Sequence, residues 1–327
     1  MSSSGAAFPR ISPSRRTGEG HTAVKARLIE DGGEAAADPG EFFRSPEFLA
    51  AEGVTHTLSV EGTDLRVPLV VRPIDDADRS DAISPYGYPG GSAASGSPPD
   101  PSGIDWSETG LVSIFIRDRI GDQASLAGGT VRSRVHVAEG LDGVRKRLRE
   151  QIRRNERRGW SIEATLGPDA SPAAQAAFER AYAETMARTE AAERYLYESS
   201  YFERLLAARR SWLVLASREG AALAGAIAVA SDGYLHYYLG GTADEAIADS
   251  PMKNLFAAMI GLGGGLGLPV NLGGGVKPGD SLDEFKRGFA SADAPFRTHE
   301  LICDPRAYEE LSAGADAPEG FFPAYRA

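Results

Sequence analysis

Apolar and polar residues alternate along many short segments of the chain, whereas other segments repeat their apolar residues every three or four positions. The first pattern predicts strands and the second predicts helices, because side chains repeat every two residues in a strand and about every 3.6 in a helix. Strands are predicted near residues 24–28, 54–60, 65–71, 111–116, 131–137, 160–165, 212–217, 224–230, 234–239, 270–272 and 297–303. Helices are predicted near residues 41–52, 141–159, 171–188 and 201–210, from about 251, and near 282–289 and 305–311.

The order of these elements indicates two structural units. Strands and helices alternate twice in a similar order, so we expect two α/β units joined by the helix that starts near residue 140. The length agrees, because 327 residues are about twice a typical domain of ~150 residues. Residues 1–20 contain no apolar run, so they are predicted to form a disordered tail and not a secretion signal.

Composition narrows the class of protein. No run approaches the ~20 apolar residues that cross a bilayer. A single cysteine, Cys303, excludes an internal disulfide and any multi-cysteine metal site. The formal net charge of −11 argues against a general nucleic-acid binder. We therefore expect a cytoplasmic protein without a metal centre.

One segment of this acidic chain is strongly basic. Residues 145–158 contain eight Arg and Lys residues and two Glu residues, which gives a local net charge of +6. Contacts with phosphates would explain such a helix, since affinity for nucleic acid rests largely on them. A solvated helix face is the alternative, and the sequence leaves both open.

Several common catalytic motifs are absent. The sequence contains no HExxH, GxSxG, Walker A or GxGxxG pattern. The glycine run at 261–267 does not fit dinucleotide spacing, and we interpret it as a helix end that packs closely against a neighbour. A pyrophosphate loop of the type R/Q-x-x-G-x-G/A matches at residues 15–20 alone, within the predicted tail.

An ordered series of short motifs spans about residues 83–290. Its members are a Pro/Gly/Tyr loop at 83–91, the basic helix at 144–160, a segment at 178–202, a strand and turn at 236–244, Ser250-Pro251, a glycine turn at 271–275, and an F-K-x-G-[FY]-like segment at 284–289. In this order they resemble the FemABX-like aminoacyltransferases of the GNAT superfamily, which pass an amino acid from aminoacyl-tRNA to an amine. The resemblance implies an α/β (α+β) fold in which two GNAT-like subdomains face each other across a cleft.

The resemblance also implies domain boundaries. Residues 21–138 would form the first GNAT-like subdomain, completed by residues 297–325. Residues 139–296 would form the second, which carries the Phe-Lys motif. The chain has no room for the long helical arm that some family members use to contact tRNA, although compact members lack it.

Site roles follow from the same resemblance. Lys286 is implied to stabilise the oxyanion of the tetrahedral intermediate, because a fixed cation there acts in the transition state, and Phe285 to pack against the terminal adenosine of the donor. By itself, Lys286 would be a solvated lysine on a charged helix. The acceptor-binding candidates are Tyr86, Tyr88, Thr185, Arg188 and Tyr238, and the tRNA-binding candidates are Arg145, Lys146, Arg149, Arg153, Arg154 and Arg157. Aminoacyl-tRNA is the expected co-substrate, and no cofactor is expected.

The expected reaction is transfer of an amino acid from aminoacyl-tRNA to the amine of a small acceptor. A natural-product peptide intermediate and a peptidoglycan precursor are both compatible acceptors. The base that accepts the proton of the amine is not identified, because His236 could face the cleft or be structural. Two rivals remain: an acyl-CoA-dependent N-acyltransferase, which should show a pyrophosphate loop, and a non-catalytic binding protein of the same fold.

Overall fold

The computed structural model describes residues 24–74, 77–92, 97–121, 124–275 and 277–327. The predicted tail, residues 1–20, lies outside the described residues. Within them, thirteen strands and seven α-helices are formed. The strands are β1 (Val24–Ile29), β2 (His56–Val60), β3 (Arg66–Ile74), β4 (Ala77–Ile83), β5 (Ile104–Asp105), β6 (Ser113–Arg117), β7 (Thr130–Ala138), β8 (Ser161–Leu166), β9 (Ser211–Arg218), β10 (Ala221–Ser231), β11 (Tyr234–Thr242), β12 (Val270–Gly273) and β13 (Ala292–Ile302). The helices are α1 (Pro46–Ala51), α2 (Lys146–Arg157), α3 (Pro172–Arg188), α4 (Ser199–Ala207), α5 (Met252–Leu266), α6 (Ser281–Arg287) and α7 (Pro305–Ser312).

All thirteen strands lie in one mixed sheet. Their order is β5-β1-β2-β3-β4-β6-β13-β7-β12-β11-β10-β9-β8. Strands β1 to β6 therefore occupy one side of the sheet and β8 to β12 the other, while β13 lies beside β6 and β7 beside β12. The antiparallel pair β7 and β13 joins them, with register partners from Ala292 and Val137 to Thr298 and Thr130. β13 continues across the predicted boundary at 296/297, and the subdomain boundaries stay predictions.

Each half contains a parallel strand pair that is very short. In the first half, β4 and β6 pair through Ala82 with Ile114 and Ile83 with Phe115. In the second half, β11 and β12 pair through Leu235 with Val270 and His236 with Asn271. Both pairings stop after two residues, so the strands separate beyond them. Crevices beyond the carboxyl ends of parallel strands are common ligand sites in α/β folds.

The two faces of the second half of the sheet carry different side chains. Along β10, Ala224, Ala226 and Ala228 face the core that contains α5, whereas Ile227 and Val229 face the core that contains α3 and α4. Because the alanines are small, α5 can approach the sheet closely. Large aromatic residues from the first half of the chain, Phe42, Phe43 and Phe48, pack into the core on the α3 side, which ties the two halves together.

Local signals explain where several helices begin and end. Ser171 caps α3, since its side chain accepts a hydrogen bond from the backbone N–H of Ala174, and Pro172 occupies the first turn. Gly267 ends α5 with φ of +70°, a conformation that glycine adopts without steric cost. The glycine run at 261–267 therefore belongs to the last turns of α5, as its sequence interpretation requires.

The structure differs from the sequence predictions at a few elements. β4 was not predicted, because its sequence is rich in charge. Asp81, at its centre, is fully buried and accepts hydrogen bonds from Arg72 and Arg326, so a paired charge occupies an interior position. The basic helix begins at Lys146 and not near residue 141, because residues 141–143 form a separate 3-10 turn.

Gly263 and Gly261 provide a matched test of the close approach of α5. A Cβ at Gly263 would lie 2.5 Å from Val270 Cγ2 and 2.7 Å from the Leu268 oxygen, whereas a Cβ at Gly261 would meet nothing within 4 Å. We expect Gly263→Ala to lower the free energy of unfolding by about 1–3 kcal/mol. Gly261→Ala should raise it by about 0.5–1 kcal/mol, because alanine favours a helix interior. Urea unfolding measures both, and equal effects would contradict the close packing.

Candidate active site

A cavity of about 760 Å³ opens where both parallel strand pairs separate. The segment after β4 and the end of β6 contribute Tyr86, Tyr88 and Arg117, and the second half contributes residues of β11, of the turn after β12 and of α6. The joining strands β7 and β13 supply the rest. The described residues that line it are Tyr86, Gly87, Tyr88, Arg117, Arg132, Ser133, Arg134, Val135, His136, Tyr237, Tyr238, Gly273, Gly274, Gly275, Pro278, Asp283, Lys286, Arg287, Asp293 and Phe296. The cavity is therefore a cleft between the halves.

Lys286 lies at this cleft and is nearly buried, with 6% of its surface exposed. Its Nζ donates a hydrogen bond to the carbonyl oxygen of Gly274 at 2.8 Å and lies 5.3 Å from the ring centre of Tyr237. Burial lowers the pKa of Lys286 to about 8, against the opposing effect of Asp280 and Asp283. Lys286 is thus not a solvated surface lysine.

Phe285 points elsewhere. Its ring centre lies 5.2 Å from that of Phe256 and 5.4 Å from that of Phe289, so it belongs to the margin of the core beneath α5 and α6. It does not line the cavity within the described part of the chain. The structure therefore gives Phe285 a packing contact that anchors α6, and its predicted contact with a donor adenosine stays a prediction.

Next to Lys286, an imidazole bridges two carboxylates. His136 Nε2 lies 2.8 Å from Asp283 Oδ1, and His136 Nδ1 lies 2.8 Å from Asp293 Oδ1. Asp293 is the register partner of His136 across β13 and β7. Asp283 lies on α6, one turn before Lys286. The hydrogen bond from His136 is the main cause that lowers the pKa of Asp283. No motif signalled this group, because its members are distant in sequence.

Tyrosines form the opposite part of the cavity wall. Tyr86, Tyr88 and Tyr238 all line it. Three of the five acceptor-binding candidates therefore lie in the cavity, and their role in acceptor binding stays a prediction. Behind Tyr238, the carboxylate of Glu52 accepts hydrogen bonds from Tyr201 Oη at 2.6 Å and Tyr238 Oη at 3.3 Å. Glu52 also accepts the backbone N–H of Tyr86 at 2.8 Å, and burial raises its pKa. Glu52 therefore positions the tyrosines, and sequence reasoning did not find it.

The other two acceptor candidates are not brought into the cavity. Thr185 Oγ1 donates to the oxygen of Thr242 at 3.1 Å and accepts the Thr242 N–H at 2.8 Å. Arg188 forms an ion pair with Asp244 and donates to the Thr242 oxygen at 3.3 Å. Both residues therefore tie the end of α3 to the end of β11. Their role in acceptor binding stays a prediction.

His236 is structural in its contacts. It is 1% exposed, its Nε2 lies 3.1 Å from the Ser231 oxygen, and its Nδ1 lies 3.0 Å from Asn271 Nδ2. The neutral tautomer with the proton on Nε2 satisfies both contacts, because the amide then donates to Nδ1. Burial lowers the pKa of His236 to about 4. Of the two alternatives for His236, a cleft-facing and a structural histidine, these contacts support the structural one, and the ring stacks on Tyr88.

The basic helix α2 starts beside the helix that carries Lys286. The backbone N–H of Arg145 donates to the Gly288 oxygen at 3.0 Å, and its guanidinium lies 3.9 Å from Glu284. Ile152 and Asn155 face the core. All six tRNA-binding candidates are exposed, namely Arg145, Lys146, Arg149, Arg153, Arg154 and Arg157. The positive surface extends to Lys253 on α5, whose pKa is lowered by burial and by the nearby Arg154 and Arg147.

The comparisons with known proteins agree with this arrangement. Residues 143–287 match the family model described as the acetyltransferase (GNAT) domain. This stretch is similar to GNAT domains. It includes the basic helix, the separating strands β11 and β12, and Lys286. A search of curated protein sequences gives no match.

Solved structures of low sequence identity share the fold over most of the chain. FemX is similar with a TM-score of 0.50 and 12% identity, covering 75% of this chain and 83% of that one. L-PGS from Bacillus licheniformis gives 0.50 and 12%, covering 80% and 87%. The C-terminal domain of a protein named as a lysylphosphatidylglycerol synthetase from Agrobacterium fabrum gives 0.54 and 14%, covering 84% and 92%. The predicted α/β fold is confirmed, and the similarity to FemX is a similarity of fold.

In the part of the chain that the structure describes, no helix combines the length and the apolar character that a membrane crossing requires.

The buried charge of Lys286 generates a stability prediction. Between about pH 8 and the ordinary lysine pKa of 10.5, the unfolded chain binds more protons, so the stability of the native protein rises with pH there. We expect Lys286→Met to raise the free energy of unfolding at neutral pH by about 1–3 kcal/mol. The gain should shrink as the pH approaches 10.5. Urea unfolding at both ends of this range measures it. Lys146→Met is the control, because that side chain is 86% exposed.

Proposed function

We propose that the protein is a tRNA-dependent aminoacyltransferase that forms an amide on an amine acceptor. The observation that carries the proposal is the buried Lys286. It lines the cleft from α6, and the exposed basic helix α2 begins beside α6. Stability alone does not account for a nearly buried cation that, among the described residues, donates its hydrogen bond to the backbone oxygen of Gly274 and not to a carboxylate, because desolvation disfavours a buried charge. Functional sites are where such groups are retained.

The chemistry of the cleft fits transfer from an ester to an amine. When the amine attacks the carbonyl carbon of an aminoacyl ester, the carbonyl oxygen becomes an oxyanion. A Lys286 ammonium held by the Gly274 oxygen and the Tyr237 ring has its remaining N–H bonds available for that oxygen. Because the cation is already in place and partly desolvated, it stabilises the transition state more than the neutral ester.

The charge distribution suggests how the donor enters. Five cationic side chains line the cavity, Arg117, Arg132, Arg134, Lys286 and Arg287, against the two carboxylates of Asp283 and Asp293. The exposed basic face of α2 begins beside α6, where the backbone N–H of Arg145 donates to the Gly288 oxygen. A tRNA acceptor end that follows α2 would therefore bring its terminal ester towards Lys286, with its phosphates beside the arginines. The tyrosine side of the cavity is left for the acceptor.

An acyl-CoA-dependent N-acyltransferase is the second candidate, because the matching family model describes acetyltransferases. The strand-to-helix junction between β11 and α5 speaks against it. This junction contains Asp244, Glu245 and Asp249 and no R/Q-x-x-G-x-G/A pattern. Carboxylates at the start of a helix occupy the place that a pyrophosphate would favour. The acyl-CoA reaction is therefore included as a separate arm of the test.

A transfer assay tests the proposal. The protein is incubated with total tRNA charged with labelled amino acids and with a panel of amines, amino acids and short peptides, and the amide products are identified by mass spectrometry. We expect product that disappears after RNase treatment and does not form from acetyl-CoA. Lys286→Met should lower kcat/KM by about 10²–10³-fold. Transfer that resists RNase would contradict the tRNA requirement.

The pH dependence distinguishes the role of Lys286. As an electrostatic stabiliser it must be charged, so kcat/KM should fall above its pKa of about 8. If Lys286 acted instead as a base, kcat/KM would rise through the same pH range.

The basic helix gives an independent prediction. We expect the double substitution Arg149→Gln and Arg153→Gln to weaken tRNA binding and to reduce the slope of log Kd against log salt by about 2. Fluorescence anisotropy with uncharged tRNA at several salt concentrations measures this slope. Arg306→Gln on α7 is the control, because that exposed arginine pairs with Glu310 away from α2. An unchanged slope in the double variant would mean that α2 is a solvated face.

A further inference from the structure

The amine of the acceptor must lose one proton for an amide to form, and the cavity offers few groups that can take it. Among the described residues that line it, the side chains able to accept a proton from an ammonium are His136, Asp283 and Asp293, besides Lys286. The remaining ionisable groups are arginines and tyrosines. Glu52 lies behind Tyr238, and its two oxygens already accept hydrogen bonds from Tyr201, Tyr238 and the Tyr86 N–H.

We propose that Asp293 and His136, held by Asp283, form the proton-accepting relay that activates the acceptor amine. This inference rests on the proposed aminoacyl transfer. The geometry is a row of three groups joined by two contacts of 2.8 Å. Its open end is Asp293, whose side chain is 45% exposed, and its inner end is Asp283, whose side chain is 9% exposed.

The two carboxylates differ in what else they bind. Asp283 Oδ2 accepts the backbone N–H of Gly279 at 3.1 Å and also binds Arg287, while its Oδ1 faces His136. Asp283 therefore has both oxygens occupied and serves as the anchor that orients the imidazole, as a carboxylate does behind a catalytic histidine. Asp293 meets the cavity, so an incoming amine reaches Asp293 before the imidazole.

The proton balance closes within the site. Each ring nitrogen of His136 faces one carboxylate oxygen at 2.8 Å, so the three groups can hold a proton and pass it between them. The relay accepts one proton from the amine as the nitrogen–carbon bond forms. When the tetrahedral intermediate collapses, the ester carbon–oxygen bond breaks and the same proton passes to the leaving ribose oxygen. No oxidant or further reactant is required.

The electrostatic surroundings of the relay are mixed. Asp283 and Asp293 face His136 from α6 and β13, and Lys286 and Arg287 lie on α6 as well. Arg134 of β7 donates to the Asp293 backbone oxygen at 3.3 Å. A pH profile of the reaction therefore contains the effect of Lys286, whose pKa is about 8, so the role of the relay is tested by substitution.

The test compares two nucleophiles in the charged-tRNA assay. The attacking nitrogen of glycinamide is the more basic one, so it needs a group that accepts its proton, whereas the less basic nitrogen of hydroxylamine loses its proton readily to water once the bond to carbon forms. Asp293→Asn and His136→Gln should lower kcat with glycinamide by about 10²-fold. With hydroxylamine they should stay within about threefold of the unsubstituted protein.

His299→Gln is the matched control, because His299 forms a buried pair with Asp118 at 2.7 Å without lining the cavity. It should reduce both nucleophile reactions equally or not at all. Equal losses for both nucleophiles in Asp293→Asn and His136→Gln would overturn the relay in favour of a structural role. Unchanged glycinamide rates would also overturn it. If the unsubstituted protein transfers to neither nucleophile, the aminoacyl transfer itself fails, and the relay with it.

Discussion

The antiparallel ladder between β7 and β13 is the interaction on which the two halves of the molecule depend. It makes one sheet of thirteen strands out of two units, and it also builds the site. Because His136 and Asp293 are register partners, the ladder itself brings the imidazole and the carboxylate into contact. A slip of β13 by one residue would turn Asp293 to the opposite face of the sheet, away from His136. Fold and site geometry are therefore fixed by the same hydrogen bonds.

Two short parallel pairings complete the cleft. β4 with β6 and β11 with β12 each pair over two residues before they separate, so each half contributes one opening to a shared space. The first half supplies tyrosines and Arg117, and the second half supplies the glycine turn and Lys286. Gly273 has φ of +75°, and a Cβ there would lie 3.1 Å from Lys286 Nζ. The glycine turn therefore makes room for the buried ammonium whose nearest acceptor is the neighbouring Gly274 oxygen.

Sequence reasoning found the elements that local chemistry specifies. The Ser171-Pro172 start of α3, the strands of the second half and the glycine end of α5 all follow from propensity, capping and period. It found Lys286 by motif order, and the structure adds its burial. It did not find His136, Asp293 or Glu52, because their contacts arise from strand register and from packing between segments up to 186 residues apart. It missed β4 because a buried, paired Asp81 looks polar in a sequence.

A net acidic chain can contain a cationic cleft, because the electrostatic effect of an exposed charge reaches only a short distance in salt solution. Exposed charges separated by more than about 10 Å are largely screened at ordinary ionic strength, so the net charge of −11 does not cancel the arginines around Lys286. The two carboxylates of the cleft are themselves committed to His136, which keeps them from neutralising Lys286 directly. Asp280 and Asp283 raise the pKa of Lys286, yet burial outweighs them. The site therefore holds a partly desolvated ammonium with a pKa lowered to about 8, and such a cation interacts strongly with a developing oxyanion.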